Sequence, residues 1–130
     1  DAKEYMNTNK ETAKKEFVFG GENSVSDEAM EAVKEIVEVE RVKGTDRDAT
    51  AVAAAKEFFK ESTSAVVASG ANYADALVAG TMDEPVLLVT KKVKDTVKTY
   101  LKDQIEDAKV IGGTNSVSDA ILKDIAANLI

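Results

Sequence analysis

Short apolar runs alternate with amphipathic stretches along this chain. The runs Phe17 to Phe19, Ala65 to Ala68, Val86 to Val89 and Val110 to Ile111 are β-branched, aromatic or alanine-rich, and a turn and a helical stretch follow each. Continuous apolar strands separated by helices predict an α/β fold of three layers, a mostly parallel sheet with helices on both faces. Helical spacing gives four stripes. They are Val25, Ala29, Val33 and Ile36; the alanine-rich segment through Ala53 to Phe58 and Phe59; Val93, Val97, Tyr100, Leu101 and Ile105; and Val117, Ile121, Leu122, Ile125 and Leu129. Ser24-x-x-Asp27, Thr45-x-x-Asp48 and Ser116-x-x-Asp119 fit a loose capping box, with Asp where Glu is usual, and so predict three helix starts. Asn72 is expected to open a shorter helix that includes Asp75 and ends near Gly80.

Residues 1–15 have no clear periodicity and read as an arm or linker, a frayed helix being the other possibility. Residues 16–130 then form a single module. Within it, Val18-Phe-Gly-Gly-Glu-Asn-Ser-Val-Ser-Asp27 recurs as Val110-Ile-Gly-Gly-Thr-Asn-Ser-Val-Ser-Asp119, identical at eight of ten positions and 92 residues further on. Self-similarity at a fixed offset is the mark of a repeat architecture. The chain therefore reads as one full repeat preceded by the tail of another.

Composition narrows the chemistry. Among 130 residues there is no His, Cys or Trp, which removes thiolate or imidazole zinc sites, Cys nucleophiles and Ser-His-Asp triads. Seventeen basic against 24 acidic residues give a net charge of −7, opposed to the basic footprint that nucleic-acid binding needs. No apolar run approaches the roughly 18 residues of a membrane span, and the N-terminus does not read as a signal peptide.

The blocks Arg41-Val-Lys-Gly44-Thr-Asp-Arg47-Asp-Ala-Thr50-Ala51, Ala68-Ser-Gly-Ala-Asn-Tyr-Ala-Asp75-Ala-Leu77, Pro85-Val-Leu-Leu-Val-Thr90 and Gly112-Gly113 to Ser118 come in a familiar order. They resemble the type 2 cell-wall-binding repeat of clostridial and bacillar surface proteins. Residues 41–129 correspond to one repeat and 16–37 to the tail of its predecessor. The resemblance implies a Toprim-like fold and a secreted, noncatalytic anchor without cofactor. It also implies attachment to an anionic, teichoic-acid-like secondary polymer of the Gram-positive wall, in tandem copies packed as a triangle. A chain with one full repeat would then form a homotrimer or pack with sister repeats. Asp48 stands where the family usually has an aromatic residue, and the Leu77 to Pro85 segment is about a helical turn shorter than usual.

Six residues are candidates for polymer contact. Arg41, Lys43 and Arg47 offer cationic donors within seven residues, arginine's planar fork being suited to phosphodiester or carboxylate groups. Gly112, Gly113 and Ser116 follow a strand and precede a helix, where free N–H groups and a helix dipole can hold an anion. Each has a structural alternative: the arginines can brace against Glu40, Asp46 or Asp48, and the glycines can serve only the turn. Lys94, Lys98 and Lys102 form a basic helical stripe that either attracts a polyanion or is a solvated face. Asp75, just after a strand end, can orient a ligand hydroxyl or bond loop N–H groups. Asp46-x-Asp48 permits a second reading, a magnesium-dependent Toprim-like phosphotransfer enzyme, although capping accounts for both aspartates. A third reading is purely architectural, a surface-layer domain that binds only protein subunits.

Overall fold

The computed structural model describes residues 1–12 and 14–130. In chain order the elements are α1 (Ala2–Asn9), β1 (Lys15–Phe19), α2 (Asp27–Lys34), β2 (Glu38–Val42), α3 (Arg47–Phe58), β3 (Ser64–Ser69), α4 (Tyr73–Ala79), β4 (Val86–Val89), α5 (Asp95–Gln104), β5 (Asp107–Ile111) and α6 (Asp119–Ala127). All strand pairs are parallel, but they form two sheets rather than the one expected: β1 with β2, and β4-β3-β5.

The three-stranded sheet carries helices on both faces. On one side Ala65, Val67, Leu87 and Val89 meet Val52 and Ala55 of α3, Val97, Tyr100 and Leu101 of α5, and Ile121 and Ile125 of α6. On the other, Val66 and Ala68 pack against Ala79 of α4. Every strand position from Ala65 to Ala68 is fully buried, as a strand covered on both faces must be. The stripe Val93, Val97, Tyr100, Leu101, Ile105 is buried throughout.

Three sequence expectations need correction. The helices begin later than the serine and threonine spacing suggests: Ser26, Asp46 and Ser118 are the caps, accepting from the N–H groups of Ala29, Ala49 and Ile121. Ser24 and Ser116 lie in the turn before, where their own N–H groups bond Gly21 and Gly113 oxygens. Strand β2 escaped the apolar-run criterion because Glu38, Glu40 and Arg41 interrupt it. Its period-2 signal is only Val37 and Val39, with Arg41 next in phase; Val42, which is buried, falls on the other side. Finally, α2 buries Met30 rather than Ala29, and Leu122 of α6 is exposed.

The two copies of the repeated decapeptide have the same conformation. In each a strand ends at a glycine with positive φ, Gly20 at 118° and Gly112 at 128°. The next glycine's carbonyl accepts two N–H groups, from Ser24 and Val25 or from Ser116 and Val117, and a serine two positions on from Ser24 or Ser116 caps the helix. Only glycine takes that φ without strain, so the identical residues serve an identical backbone. Helix α1 carries its own capping box between Asp1 and Glu4 and buries no residue.

Candidate functional site

The glycine-containing turn after β1 and the loop between β2 and α3 face one another. Parallel pairing of β1 with β2 aligns Phe19 with Val42, so Gly20-Gly21 and Lys43-Gly44 leave the sheet side by side. Between them and the first turns of α3 lies a cleft of about 1000 Å³, lined by Gly20 to Ser24, Lys43 to Arg47, Thr50, Ala51 and Ala54. It opens at the carboxyl ends of the strands, where open α/β sheets usually hold ligands.

Gly44 makes this packing possible. A Cβ there would sit 2.4 Å from the carbonyl carbon and Cβ of Ala49 and 2.6 Å from the Thr50 nitrogen. Without one, the loop lies on the helix, and the Gly44 N–H donates to Thr50 Oγ1 at 2.9 Å.

Arg41 is the least free of the basic residues. Its guanidinium donates to Gly20 O at 2.8 Å and to Asp27 Oδ1 at 3.3 Å, and its side chain is 11% exposed. It ties the turn after β1 to β2. Arg47 lies at the start of α3 with its guanidinium bonded to the Gly70 carbonyl. Lys43 pairs with Glu22 across the cleft mouth, and this cation holds the Glu22 carboxyl below its ordinary range. Such exposed pairs contribute little to stability and exchange partners readily.

The other half of the predicted set lies elsewhere. Gly112, Gly113 and Ser116 belong to the turn after β5, where Gly112 is so near Asp75 that a Cβ would approach its Oδ2 to 3.0 Å. The structure thus gives Arg41, Lys43 and Arg47 the first copy of the glycine turn as neighbour, not the second. Gly20 and Gly21 are missing from the predicted set although the decapeptide repeat marks them as clearly as Gly112 and Gly113; Glu22, which differs from Thr114, carries no such signal.

The aspartate pair is held by Lys94. Its ammonium lies 3.0 Å from Asp46 Oδ2 and 3.2 Å from Asp48 Oδ2, and the Asp48 side chain is fully buried. The Ala49 N–H and then Lys94 hold the Asp46 carboxyl below its ordinary range, and the two carboxylates raise Lys94 above its own. A lysine thereby fills the position a cation would take in the D-x-D reading. Among the described residues no cluster of three metal-ligating side chains is found. Asp48 puts a buried carboxylate against Lys94. Of the helical lysines, Lys98 pairs with Asp124 at 3.1 Å, while Lys102 is exposed.

The sequence profile of cell wall binding domain 2 (CWB2) matches residues 41–122. The chain belongs to the CWB2 family. It is 35% identical over 86 residues to N-acetylmuramoyl-L-alanine amidase LytC of Bacillus subtilis (strain 168), a match covering 62% of this chain and 17% of that enzyme. Among solved structures, Cwp6 from Clostridium difficile superposes with a TM-score of 0.83 at 29% identity, over 95% of this chain and 21% of Cwp6. Cwp8 from the same organism gives 0.76 and 29%, over 89% and 20%. The chain thus spans about a fifth of the length of these relatives. CWB2 is a family of binding domains and places this one at the cell wall or surface; no described helix is long and apolar enough to cross a membrane.

Proposed function

We propose that this CWB2 domain anchors a secreted surface protein noncovalently by holding an anionic, teichoic-acid-like wall polymer in the cleft between the first glycine turn and the Lys43 to Arg47 loop. In this reading residues 1–15 are an arm, 16–37 the tail of a preceding repeat and 41–129 a full repeat that packs with sister repeats. The observation that carries it is the meeting of two features in one cleft. The turn from Gly21 to Asn23 follows a strand and exposes its backbone to the cleft, and the exposed cations of Lys43 and Arg47 stand opposite. Screening over about 8 Å at physiological salt makes this local chemistry matter more than the net charge. A polymer phosphate can replace Glu22 on Lys43, since the exchange trades one exposed anion for another. Arg41 then positions the turn, and Gly112, Gly113 and Ser116 offer an equivalent half-site at the far end of the repeat.

Sedimentation with purified Gram-positive walls, before and after acid extraction of secondary polymers, tests the proposal. Retention on intact walls and loss on extracted walls is expected. Lys43→Gln with Arg47→Gln should lower retention several-fold without altering the circular dichroism. Equal retention on both wall preparations removes the polymer as ligand.

A further inference from the structure

We propose that the outer edge of β5 is a docking site for a parallel β-strand of the β2 kind, supplied by a neighbouring copy of the repeat. The template lies within the chain. β1 and β5 lead into the two copies of the decapeptide, 92 residues apart, and end in the same glycine turn. β1 carries β2 on one edge, the Gly20 N–H donating to Val42 O. Bonding alternates along a strand, so the even-numbered N–H groups of β1 face β2. On β5 the Asp107 N–H donates to Thr63 O, so its odd-numbered groups face β3. Its even-numbered groups, at 108, 110 and 112, are those that match 16, 18 and 20. They point to the side away from β3, where β5 pairs with no strand among the described residues.

The offset also sets register and partners. A docked strand would align its equivalents of Glu38 to Val42 with Asp107 to Ile111, and its Val42 equivalent would accept from the Gly112 N–H. Its Arg41 equivalent would bond Gly112 O and the carboxylate of Asp119, which stands where Asp27 stands in the first copy. Ile130, the counterpart of Glu38, lies close to the start of β5, its N–H donating to Ile105 O at 2.9 Å. Docking would also place a Lys43 and Arg47 equivalent opposite Gly112-Gly113, completing a second cleft. That consequence rests on the proposed function; the strand pairing does not.

The test adds a synthetic peptide of residues 37–45 to the full chain, with no polymer present, and follows amide hydrogen exchange by segment. Exchange over 107–112 should slow at least about fivefold at saturating, millimolar peptide while 16–20 is unchanged. A peptide with proline at the Glu40 position, which removes a ladder N–H, should give no protection. Asp119→Asn should weaken peptide binding about threefold, the worth of an exposed charge pair. Unchanged exchange over 107–112, or equal protection by the proline peptide, overturns the proposal. Protection of 107–112 that also appears when the chain alone is concentrated and its mass rises supports it, since a second copy then supplies the strand.

Discussion

Replacing Gly44 by alanine probes the contact that builds the cleft. The added Cβ would lie 2.4 Å from two atoms of Ala49 and 2.6 Å from the Thr50 nitrogen, all on the first turn of α3. Normal contact begins near 3.4 Å, so loop and helix must separate by about 1 Å. The helix end resists, because Ala49 and Val52 are buried and Asp46 caps it through the Ala49 N–H at 2.8 Å. Overpacking of this kind costs about 1–3 kcal/mol. Loss of the Gly44 to Thr50 hydrogen bond adds about 1 kcal/mol. Reduced freedom of the unfolded chain returns about 0.5 kcal/mol, so the net loss is about 1.5–3.5 kcal/mol, with about 3 kcal/mol expected for backbone atoms that cannot swing aside. With a urea dependence of about 1.5 kcal/mol/M, the unfolding midpoint should fall by about 2 M. Gly21→Ala is the control, since a Cβ there meets nothing within 4 Å. It should unfold within about 0.5 kcal/mol of the parent. A Gly44→Ala midpoint equal to that of Gly21→Ala would refute the close packing of loop on helix.

Two other outcomes follow from one buried and one exposed polar group. The Tyr100 hydroxyl is buried without a partner among the described residues, and burial raises its pKa; Tyr100→Phe should leave the core intact and stabilise by about 1 kcal/mol in thermal or urea unfolding, a loss of that size showing a hidden partner. Because the folded state lowers the Asp46 pKa, its contribution is full above the ordinary carboxylate range near pH 4 and is lost as pH falls through the folded value. Asp46→Asn should therefore flatten the acid limb of stability against pH, and an unchanged limb would show that the cap and Lys94 do not stabilise the charged form.

What the chain reveals before folding is uneven for physical reasons. Strands β3 and β4 and the stripe of α5 were legible because burial on both faces, or on one helical face, demands unbroken apolar patterns. β2 was not, because a short strand in a two-stranded sheet keeps one side in solvent. There Glu38 and Glu40 pair with Lys15 instead of facing a core. The caps were misplaced by one or two residues because Ser24 and Ser26, or Thr45 and Asp46, are equally good by type. Only the turn before the helix decides which oxygen reaches an N–H. The cleft was half legible. Its basic side was recognised, but which copy of a repeated turn lies opposite depends on strand pairing, to which the decapeptide is blind.

That ambiguity bears on what Arg41 does. Read alone, three cations within seven residues suggest three ligand contacts, yet their environments separate them. Arg41 is almost buried and spends its guanidinium on a carbonyl and a carboxylate of the preceding strand-turn-helix unit, whereas Lys43 and Arg47 remain exposed. A side chain that bonds the turn after one strand from the strand beside it holds β1 to β2 rather than presenting its charge to a ligand. Asp27 receives the arginine, whereas Glu22, five residues before it, pairs with Lys43 at the cleft mouth. A change at Asp27 therefore reaches the joint between β1 and β2, and a change at Glu22, where the second decapeptide has Thr114, reaches the cleft.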